Sequence, residues 1–561
     1  MLKRGVTVLA VLAIVLGACS STPAASSPAA SAPPGSTPAT TPANVPATAV
    51  PTGATQADTL QFAWLGDCTC IWHPAAYETF SQAINFEMMF SKLIERNWQP
   101  DGTWKPMGDL ADSWEISPDG LTWTFHLHPG VKWQDGQPFS ANDVAFTINE
   151  SFLYKAARNN NAAWAPIVGS ADVTSGKTKT ASGVKVIDDN TIQITISDPN
   201  ADYFSDLADP GAVILPEHIL KDTDPTKVET LPFSTTSPVG TGPYKFIKYQ
   251  TDQYSQFVAN PDYFKGPPKI KNIFVKRLSD DQAVAQMASG DVDMVVRVNP
   301  ADQGALSKDA NVDVLSTTGV GTYGPYFNML TVTDVKTREA IMYAVNAQGI
   351  IDSVYGGGGH INKGVLPGMP PADDQVLFNY DPAKAKALLD ASTWDKSKPL
   401  RIIFDNSFAG VTEWTPIMQQ NLEAIGFKVQ LMSLDTATAV AQYDKIDTYD
   451  VTIAQGGDQG LSPFRTQLYY SCKQTDPAVW QTYSHNCAID DGFVAARKEL
   501  DPTKRNTIFK TISGLINKEL DKASWWTTNA LSAKTKALQG VSIPPNTREF
   551  IIGVQNWTLT R

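Results

Sequence analysis

At 561 residues the chain is too long for one ordinary hydrophobic core, so we expect two or three packed lobes. Its formal net charge of −12 comes without a run of basic residues, which argues against nucleic acid as a partner because phosphates attract clustered Lys and Arg. The sequence lacks the motifs of serine hydrolases, zinc proteases and P-loop nucleotide-binding proteins, and it contains only six His. We therefore predict a protein that is not an enzyme and that uses no cofactor.

The first residues have the pattern of an export signal. Two basic residues precede an apolar run at residues 6–16, which is too short to remain as a membrane span. The run leads into Leu-Gly-Ala-Cys, which resembles a lipobox and implies that Cys19 is lipidated after residues 1–18 are removed. The alternative is an ordinary secretory signal with a chance cysteine. Without residues 1–18 the chain keeps 43 basic and 57 acidic residues, a formal charge of −14.

The segment after Cys19 is composed almost entirely of Ala, Pro, Ser and Thr up to residue 57. Such a composition cannot bury apolar surface, so residues 19–57 are predicted to be a disordered, extended tether. No later stretch approaches the roughly twenty apolar residues that a membrane span requires. We expect the mature protein to lie outside the cytoplasm, anchored by lipid to the outer face of the cell membrane.

The folded part begins near residue 58. Residues 59–64 alternate between polar and apolar side chains, which predicts a strand, and a loop follows. Residues 81–93 have apolar side chains at helical spacing and are predicted to form a helix with its two Met in the core.

Four cysteines remain in the exported chain. An even number is compatible with disulfides, and we predict that Cys472 and Cys487 form one that closes a polar loop. A bridge between Cys68 and Cys70 would be strained, because a single residue separates them, and their pairing stays open. The alternative is a zinc site, but the C-x-C spacing is unusual for zinc and no His is interleaved, so we predict no metal site.

Residues 119–152 carry the densest set of signals. Four apolar residues alternate with polar ones over residues 121–128, as in a half-buried strand. His126 and His128 lie on one side of this strand, where they could chelate a metal ion, although we interpret them as surface residues. Ser140 is placed to cap a helix whose apolar residues recur on one side.

Strands and helices alternate through the rest of the chain, which predicts α/β layers. Strands are predicted at residues 184–187, 191–196, 270–276, 323–330, 400–404, 427–431 and 550–554, and helices at residues 280–289, 337–346, 383–389 and 414–425. The first two strands are joined by Asp-Asp-Asn and are predicted to form a hairpin.

Four motifs occur in order: DLADSWEI at residues 109–116, the stretch at residues 119–152, GTGPY at residues 240–244 and GDVDM at residues 290–294. Together they resemble the signature of extracytoplasmic solute-binding protein family 5, whose members serve peptide and nickel ABC importers. The resemblance implies an α/β chain with the two-lobed type II periplasmic-binding-protein fold and an extra small subdomain in the first lobe.

The resemblance also implies domain boundaries. They are a lipoprotein signal peptide at residues 1–18, the lipidated Cys and tether at 19–57, the first lobe at 58–98 and 205–318, its extra subdomain at 99–204, the second lobe at 319–524, and a return to the first lobe at 525–561. The return would give two crossing strands between the lobes.

The function implied is that of the capture subunit of an ABC importer, which closes around a solute and delivers it to a membrane permease served by separate ATPase subunits. We predict short peptides as the ligand. Members of the family also bind nickel chelates, sugars and other small solutes, and the fourteen Trp favour an oligosaccharide as the first alternative because aromatic faces stack on sugar rings. We expect a monomer that touches the membrane through its lipid anchor only.

Several segments correspond to ligand-lining segments of the family. Residues 451–464 match a strand and loop in which a Trp-x-x-Asp contains the acid that pairs with the ammonium group of a peptide; here Asp458 stands at the acid and Gln455 replaces the Trp. Arg297 is a candidate partner for a ligand carboxylate. The residues that we predict to contact the ligand are Cys70, Ile71, Trp72, Arg297, Tyr326, Asn328, Gln455, Gly457 and Asp458. The alternatives are a core position for Trp72 and solvated surface positions for Arg297 and Asp458.

Overall fold

Two mixed β-sheets organise the part of the chain that the structure describes. The structure, a computed structural model, describes residues 58–64, 71–76, 80–99, 103–153, 161–299, 302–317, 322–362, 369–406, 408, 410–435, 438–439, 441–443, 445–456, 462–470, 472, 486–543 and 551–561. Within these residues, no helix combines the length and the apolar character that crossing a bilayer requires.

The elements follow each other in the alternating order that the sequence predicts. The strands are β1 (Thr59–Trp64), β2 (Ile94–Trp98), β3 (Trp104–Gly108), β4 (Ala111–Ile116), β5 (Thr122–Leu127), β6 (Val184–Asp188), β7 (Thr191–Thr195), β8 (Tyr244–Gln250), β9 (Tyr254–Ala259), β10 (Asn272–Arg277), β11 (Met294–Val296), β12 (Val312–Thr317), β13 (Thr322–Phe327), β14 (Gly359–Ile361), β15 (Pro399–Asp405), β16 (Lys428–Leu434), β17 (Val451–Gly456), β18 (Trp526–Thr528), β19 (Ala530–Thr535), β20 (Leu538–Gln539) and β21 (Thr558–Leu559). The α-helices are α1 (Phe80–Met89), α2 (Ala141–Ser151), α3 (Asn161–Trp164), α4 (Ser170–Thr174), α5 (Tyr203–Leu207), α6 (Glu217–Leu220), α7 (Pro232–Thr235), α8 (Asp280–Ser289), α9 (Gln303–Leu306), α10 (Val335–Ala344), α11 (Ala347–Val354), α12 (Pro382–Asp390), α13 (Val411–Ala424), α14 (Pro463–Tyr470), α15 (Cys487–Lys498) and α16 (Pro502–Glu519).

The first sheet has the strand order β12-β19-β11-β1-β10-β9-β8. Its central strand β1 runs parallel to both β10 and β11. Every residue of β1 is buried, because Leu60, Phe62 and Trp64 pack into one apolar cluster while Ala63 packs into another. A strand covered on both faces is the normal state of a parallel sheet centre.

The second sheet has the strand order β14-β18-β13-β17-β15-β16. Helices α10 to α13 supply most of the apolar side chains that cover it, in a cluster with the side chains of β13, β15 and β17. Trp414 and Trp526 lie at the centre of this cluster and are both fully buried. The first sheet with the residues packed on it is called the first lobe below, and the second sheet with its helices the second lobe.

The chain passes between the lobes at two points, from β12 to β13 and from β18 to β19. Thr317 pairs with Ala530 in the first sheet, and Thr322 pairs with Thr527 in the second, so the strand ends that flank the two crossings are paired in both sheets. The side chain of Asn529 donates to the Ser316 hydroxyl at 3.1 Å and joins them. We call the strand ends beside these crossings the hinge edge of each sheet.

The second crossing comes later than the sequence predicts. The sequence prediction places Trp525 and Trp526 in the segment that returns to the first lobe, from residue 525 onward. In the structure β18 still pairs with β13 and β14, and the return begins with β19. The reason is packing, because the Trp526 ring is buried against Tyr323 at 5.6 Å and Trp414 at 4.9 Å between ring centroids in the second lobe.

A four-stranded antiparallel sheet, β4-β5-β7-β6, forms a separate layer. Trp123, Phe125 and Leu127 of β5 face its core, as the alternation predicts. Ser140 caps α2, and Asp143 completes the capping box by accepting from the Ser140 backbone. The predicted strand, hairpin and capped helix are confirmed.

The family-like motifs have structural roles. Gln134 donates to the carbonyls of Met89, Gly242 and Tyr244 and accepts from the Gly240 amide, so it ties the GTGPY turn to the end of α1. A side chain at Gly240 would overlap the Met89 carbonyl, which explains the glycine there. In the GDVDM motif Asp293 accepts from the Gln61 amide at 2.8 Å and pairs with the guanidinium of Arg561.

Two predicted elements differ from the structure. The helix predicted at residues 81–93 ends at Met89, and the chain then enters β2. The strand predicted at residues 550–554 is wrong in its described part, where a 3-10 turn at Val554–Asn556 follows Gly553 in the left-handed conformation. The apolar run Ile551–Val554 arises because Ile551 and Val554 both fill the core of the first lobe.

Candidate ligand-binding site

Strand register brings the carboxyl ends of β1 and β11 to the hinge edge of the first sheet. Trp64 pairs with Val296, and Val296 pairs with Ser532 near the start of β19. Arg297 directly follows β11 and therefore lies beside the crossing from β18 to β19. In open α/β sheets, ligands bind in the crevice outside the carboxyl ends of parallel strands.

Arg297 is held at this edge in an unusual conformation. Its φ of 59° lies in the left-handed region, which costs a residue with a Cβ on the order of 1 kcal/mol or more. Its guanidinium lies 5.8 Å from the ring centre of Trp64, in cation–π range. The side chain is partly exposed and permanently charged, so it can pair with a carboxylate that enters from solvent.

The hinge edge of the second sheet is formed by β17 and β13. Gln455 pairs with Tyr323, and Gly456 pairs with Thr322 at the crossing. The predicted ligand residues Gly457 and Asp458 follow β17 in sequence and lie outside the described residues. The backbone of Gln455 lies near the carboxyl end of β17, which runs parallel to β15.

Below this edge lies a cluster of buried aromatic rings. Tyr323 stacks on Trp526 with an angle of 21° between ring planes, while Trp414 meets both rings edge-on. Tyr355 completes the cluster, and burial raises the pKa of its hydroxyl. These rings pack together in the core of the second lobe, and none of them presents an exposed face to a ligand.

The fourteen Trp are mostly core residues, which removes the main sequence argument for an oligosaccharide. Nine of them are at most 4% exposed: Trp64, Trp72, Trp123, Trp133, Trp164, Trp414, Trp525, Trp526 and Trp557. A ring that stacks on a sugar must present one face to the cleft. Packing therefore accounts for most of the Trp residues that the structure describes.

In the first segment that is predicted to line the ligand, Trp72 lies in the core and does not face a ligand. The Trp72 side chain is fully buried in the core of the first lobe, with its ring 5.2 Å from that of Phe246, so the core interpretation of Trp72 holds. Ile71 is partly exposed, and its carbonyl accepts from the Gln82 side chain at 3.0 Å. Cys70 lies outside the described residues, as do Cys68 and Cys19.

Tyr326 and Asn328 lie away from the hinge edge. Asn328 is fully buried, and its amide donates to the carbonyls of Ile446 at 2.8 Å and Tyr449 at 3.1 Å. Its backbone bonds to Asp450, at the start of β17, so it stands at the opposite edge of the sheet. The predicted crossing strand was correct, but it begins at Thr322, and Asn328 is a structural residue beyond its far end.

The ring of Tyr326 is covered by a buried cation that the sequence analysis did not identify. The Lys522 ammonium lies 5.0 Å from the Tyr326 ring centre and 5.2 Å from that of Tyr470. Lys522 is 1% exposed beside the fully buried Asp521, and burial lowers the pKa of its ammonium group. The contacts of Lys522 fix the segment that leads to the second crossing. The sequence ELDKASWW has no helical or strand periodicity that would indicate a buried lysine.

The structure also describes the predicted disulfide and the two His that could chelate a metal ion. Cys472 and Cys487 are joined in a disulfide in the second lobe. His126 and His128 face Glu115 at 3.8 Å and Asp112 at 3.7 Å respectively on the surface of the four-stranded sheet. Among the residues described, no group of three His, Cys, Asp or Glu is arranged to hold a metal ion.

A depression at the opposite edge of the second sheet is not part of this site. It is lined by Thr331, Asp334, Trp394 and Arg401, among others. The Arg401 guanidinium is already bound by both carboxylate oxygens of Asp450, at 3.0 and 2.8 Å. A charge paired in this way has little left to offer an anionic ligand.

Comparisons with known proteins identify the family. Residues 105–477 match the model of the bacterial extracellular solute-binding proteins, family 5 Middle. A protein of Brucella ovis named as an ABC transporter peptide-binding protein is 30% identical over 447 residues, which cover 77% of this chain and 81% of that one. The dipeptide-binding protein of Escherichia coli is 28% identical over 452 residues, covering 75% and 80%.

Solved structures show the same fold. The oligopeptide-binding protein AppA of Bacillus subtilis, in complex with a nonapeptide, has a TM-score of 0.75 at 20% identity and covers 90% of this chain and 99% of its own. NikZ of Campylobacter jejuni, in complex with Ni(L-His), has a TM-score of 0.74 at 21% identity and covers 90% and 100%. The two-lobed fold predicted from the sequence is thereby confirmed. With a family match over residues 105–477 and a relative 30% identical along most of both chains, this chain belongs to the bacterial extracellular solute-binding proteins of family 5.

Proposed function

We propose that this protein is the capture subunit of an ABC importer and that it binds short peptides between its two lobes. The observation that carries the proposal is the similarity along 77% of the chain to a relative named as a peptide-binding protein, supported by the second relative named for dipeptides. Arg297 at the hinge edge supplies the charge that a peptide carboxylate needs.

In this proposal the two hinge edges bind opposite ends of the peptide. Arg297 on the first lobe pairs with the carboxylate, and Asp458, which follows β17 on the second lobe, pairs with the ammonium group. Strand ends and the adjoining loops supply main-chain donors and acceptors for the peptide backbone. Because each lobe binds one end, the ligand favours the closed state, and the permease responds to that state.

The substitution of Gln455 for the family's Trp shapes the expected specificity. A Trp at this place would bring a flat apolar wall beside the ammonium group, whereas Gln is smaller and polar. We therefore expect tolerance for polar first residues in the peptide. Native mass spectrometry, described below, distinguishes short peptides from solutes of other classes, including nickel chelates and sugars.

We also propose that the protein is anchored by lipid to the outer face of the membrane. Cys19 carries the lipid anchor, and residues 20–57 give the lobes reach from the outer face of the membrane. Labelling cells with a fatty acid analogue tests this directly. The wild-type protein is expected to be labelled and membrane-bound, whereas Cys19→Ala is expected to be neither, and a labelled Cys19→Ala protein would contradict the anchor.

Native mass spectrometry of the protein purified without denaturation tests the ligand. We expect a set of short peptides on the wild-type protein and their loss from Asp458→Asn. Asp491→Asn is the matched control, since Asp491 is exposed on α15. A single sugar, a metal chelate, or an empty protein that takes up nothing from a peptide mixture would contradict the peptide proposal.

A further inference from the structure

The segment that follows β7, at residues 198–206, touches the second lobe at a place separate from the crossings. The contact joins the acidic segment that follows β7 to the end of α15 and the start of α14. Its members are Asp198, Asp202 and Asp206 on one side and Ser462, Arg497 and Lys498 on the other, and we call this group the clasp.

The clasp combines charge with backbone bonding. The Lys498 ammonium lies 2.9 Å from the Asp198 carboxylate, and the Arg497 guanidinium lies 3.6 Å from Asp206. The Arg497 carbonyl accepts from the Ala201 amide at 2.8 Å. Arg497 and Lys498 lie in the last turn of α15, where basic side chains complement the negative end of the helix dipole.

A hydrogen bond extends the contact to a second element. The Ser462 hydroxyl donates to the Asp202 carboxylate at 2.6 Å, and Ser462 is 2% exposed. Arg497 is held in place by the ring of Phe464, with its guanidinium 4.6 Å from the ring centre. Phe464 in turn packs in the apolar cluster of α14, α15 and α16, so the basic side of the clasp is built on a rigid layer.

The acidic side is equally anchored. Tyr203 and Leu207, on either side of Asp206, are fully buried in the core of the four-stranded sheet. Asn200 donates to the Asp206 carboxylate at 3.1 Å and orients it. Rigid supports on both sides mean that the clasp cannot follow a rotation of one lobe about the crossings without breaking.

We propose that the clasp is an electrostatic closure contact that sets how long the two lobes stay together, so that Asp198, Asp202, Asp206, Ser462, Arg497 and Lys498 are positioning residues for ligand retention. The inference rests on the proposed function for its ligand readout. Its conformational readout needs no ligand, because the clasp joins side chains of the two lobes directly.

Reversing one charge of the most exposed pair tests the clasp with little risk to folding. Lys498 and Asp198 keep side-chain exposures of 48% and 55%. In Lys498→Asp we expect peptide release, followed by stopped-flow fluorescence, to become about two- to fivefold faster at low salt, the size expected from partly exposed ion pairs. The association rate should change less, because closure follows encounter.

Two further variants separate the clasp from a general charge effect. The double variant Asp198→Lys with Lys498→Asp restores the opposite charges and should restore slow release. Lys510→Asp is the matched control, because the 2.6 Å pair of Lys510 with Asp373 lies within the second lobe. Raising NaCl from about 0.05 M to about 1 M should remove the difference between wild type and Lys498→Asp, since screening shortens the reach of exposed charges.

Small-angle X-ray scattering of the ligand-free protein gives the second readout. Lys498→Asp should have a larger radius of gyration than wild type at low salt, and the double variant should return to the wild-type value. If the wild type binds no peptide, the proposed function fails while scattering still decides the clasp. Scattering and release rates for Lys498→Asp that match those of Lys510→Asp would overturn the inference.

Discussion

Replacing Arg297 by Met removes the charge at the hinge edge while keeping a side chain of similar length over Trp64. A hydrogen bond to a charged partner contributes about 1.5–3 kcal/mol, and each 1.4 kcal/mol is about tenfold in affinity. Because Arg297 is partly exposed and water screens its charge, we expect the low end of this range. The dissociation constant of a short peptide should therefore rise about tenfold.

Titration calorimetry with a peptide and its C-terminal amide makes the test specific. The wild type should bind the amide about tenfold more weakly than the acid, by the same arithmetic. Arg297→Met should bind both equally, because the group that recognises the carboxylate is gone. Lys271→Met is the matched control, since Lys271 pairs with Asp58 at the opposite end of β10. An Arg297→Met protein that still prefers the acid as strongly as wild type does would refute the role of Arg297.

Four further predictions concern stability. Arg297→Gly should raise the free energy of unfolding by up to about 1 kcal/mol while weakening peptide binding, because glycine relieves the left-handed strain; denaturant unfolding beside calorimetry checks both. Removing the disulfide by Cys472→Ser with Cys487→Ser should cost about 2–4 kcal/mol, seen as a lower Tm, and an unchanged Tm would contradict it. Trp526→Ala should lose about 3–5 kcal/mol because its ring is fully buried among Tyr323 and Trp414. Burial lowers the pKa of His73 to about 3 from its ordinary 6.5, so the stability that neutral His73 allows is present above pH 6.5 and is lost as the pH falls from there toward 3. In this pH range, His73→Gln should reduce the slope of the unfolding free energy against pH by up to about 1.4 kcal/mol per pH unit. Equal slopes for the wild type and His73→Gln would contradict this prediction.

The sequence predicts helices and strands well where a few neighbouring residues determine them. Ser140 caps its helix, and the alternation through Trp123 and Phe125 marks a half-buried strand; both are properties of a few neighbouring residues. The motifs that revealed the family are of the same kind. Gln134 and Gly240 bring two distant segments together. The motifs that contain them therefore identify the fold, and they carry no information about the ligand.

The site residues were harder to predict, because burial depends on distant segments. Trp72 and Asn328 are predicted to contact the ligand, yet Trp72 packs on Phe246 and Asn328 bonds to carbonyls more than a hundred residues away. Only the register of β1, β11 and β19 shows that Arg297 reaches the hinge edge beside Trp64. Ser462 and Arg497 of the clasp gave no sequence signal at all, since their partners belong to the other lobe.

A crystal structure of the protein grown with a short peptide shows whether the peptide binds between the two hinge edges. We expect electron density for the peptide between the hinge edges of the two sheets, with its carboxylate at the Arg297 guanidinium and its ammonium group at the carboxyl end of β17. Peptide density at any other place, or lobes that close with that space empty, would contradict the account.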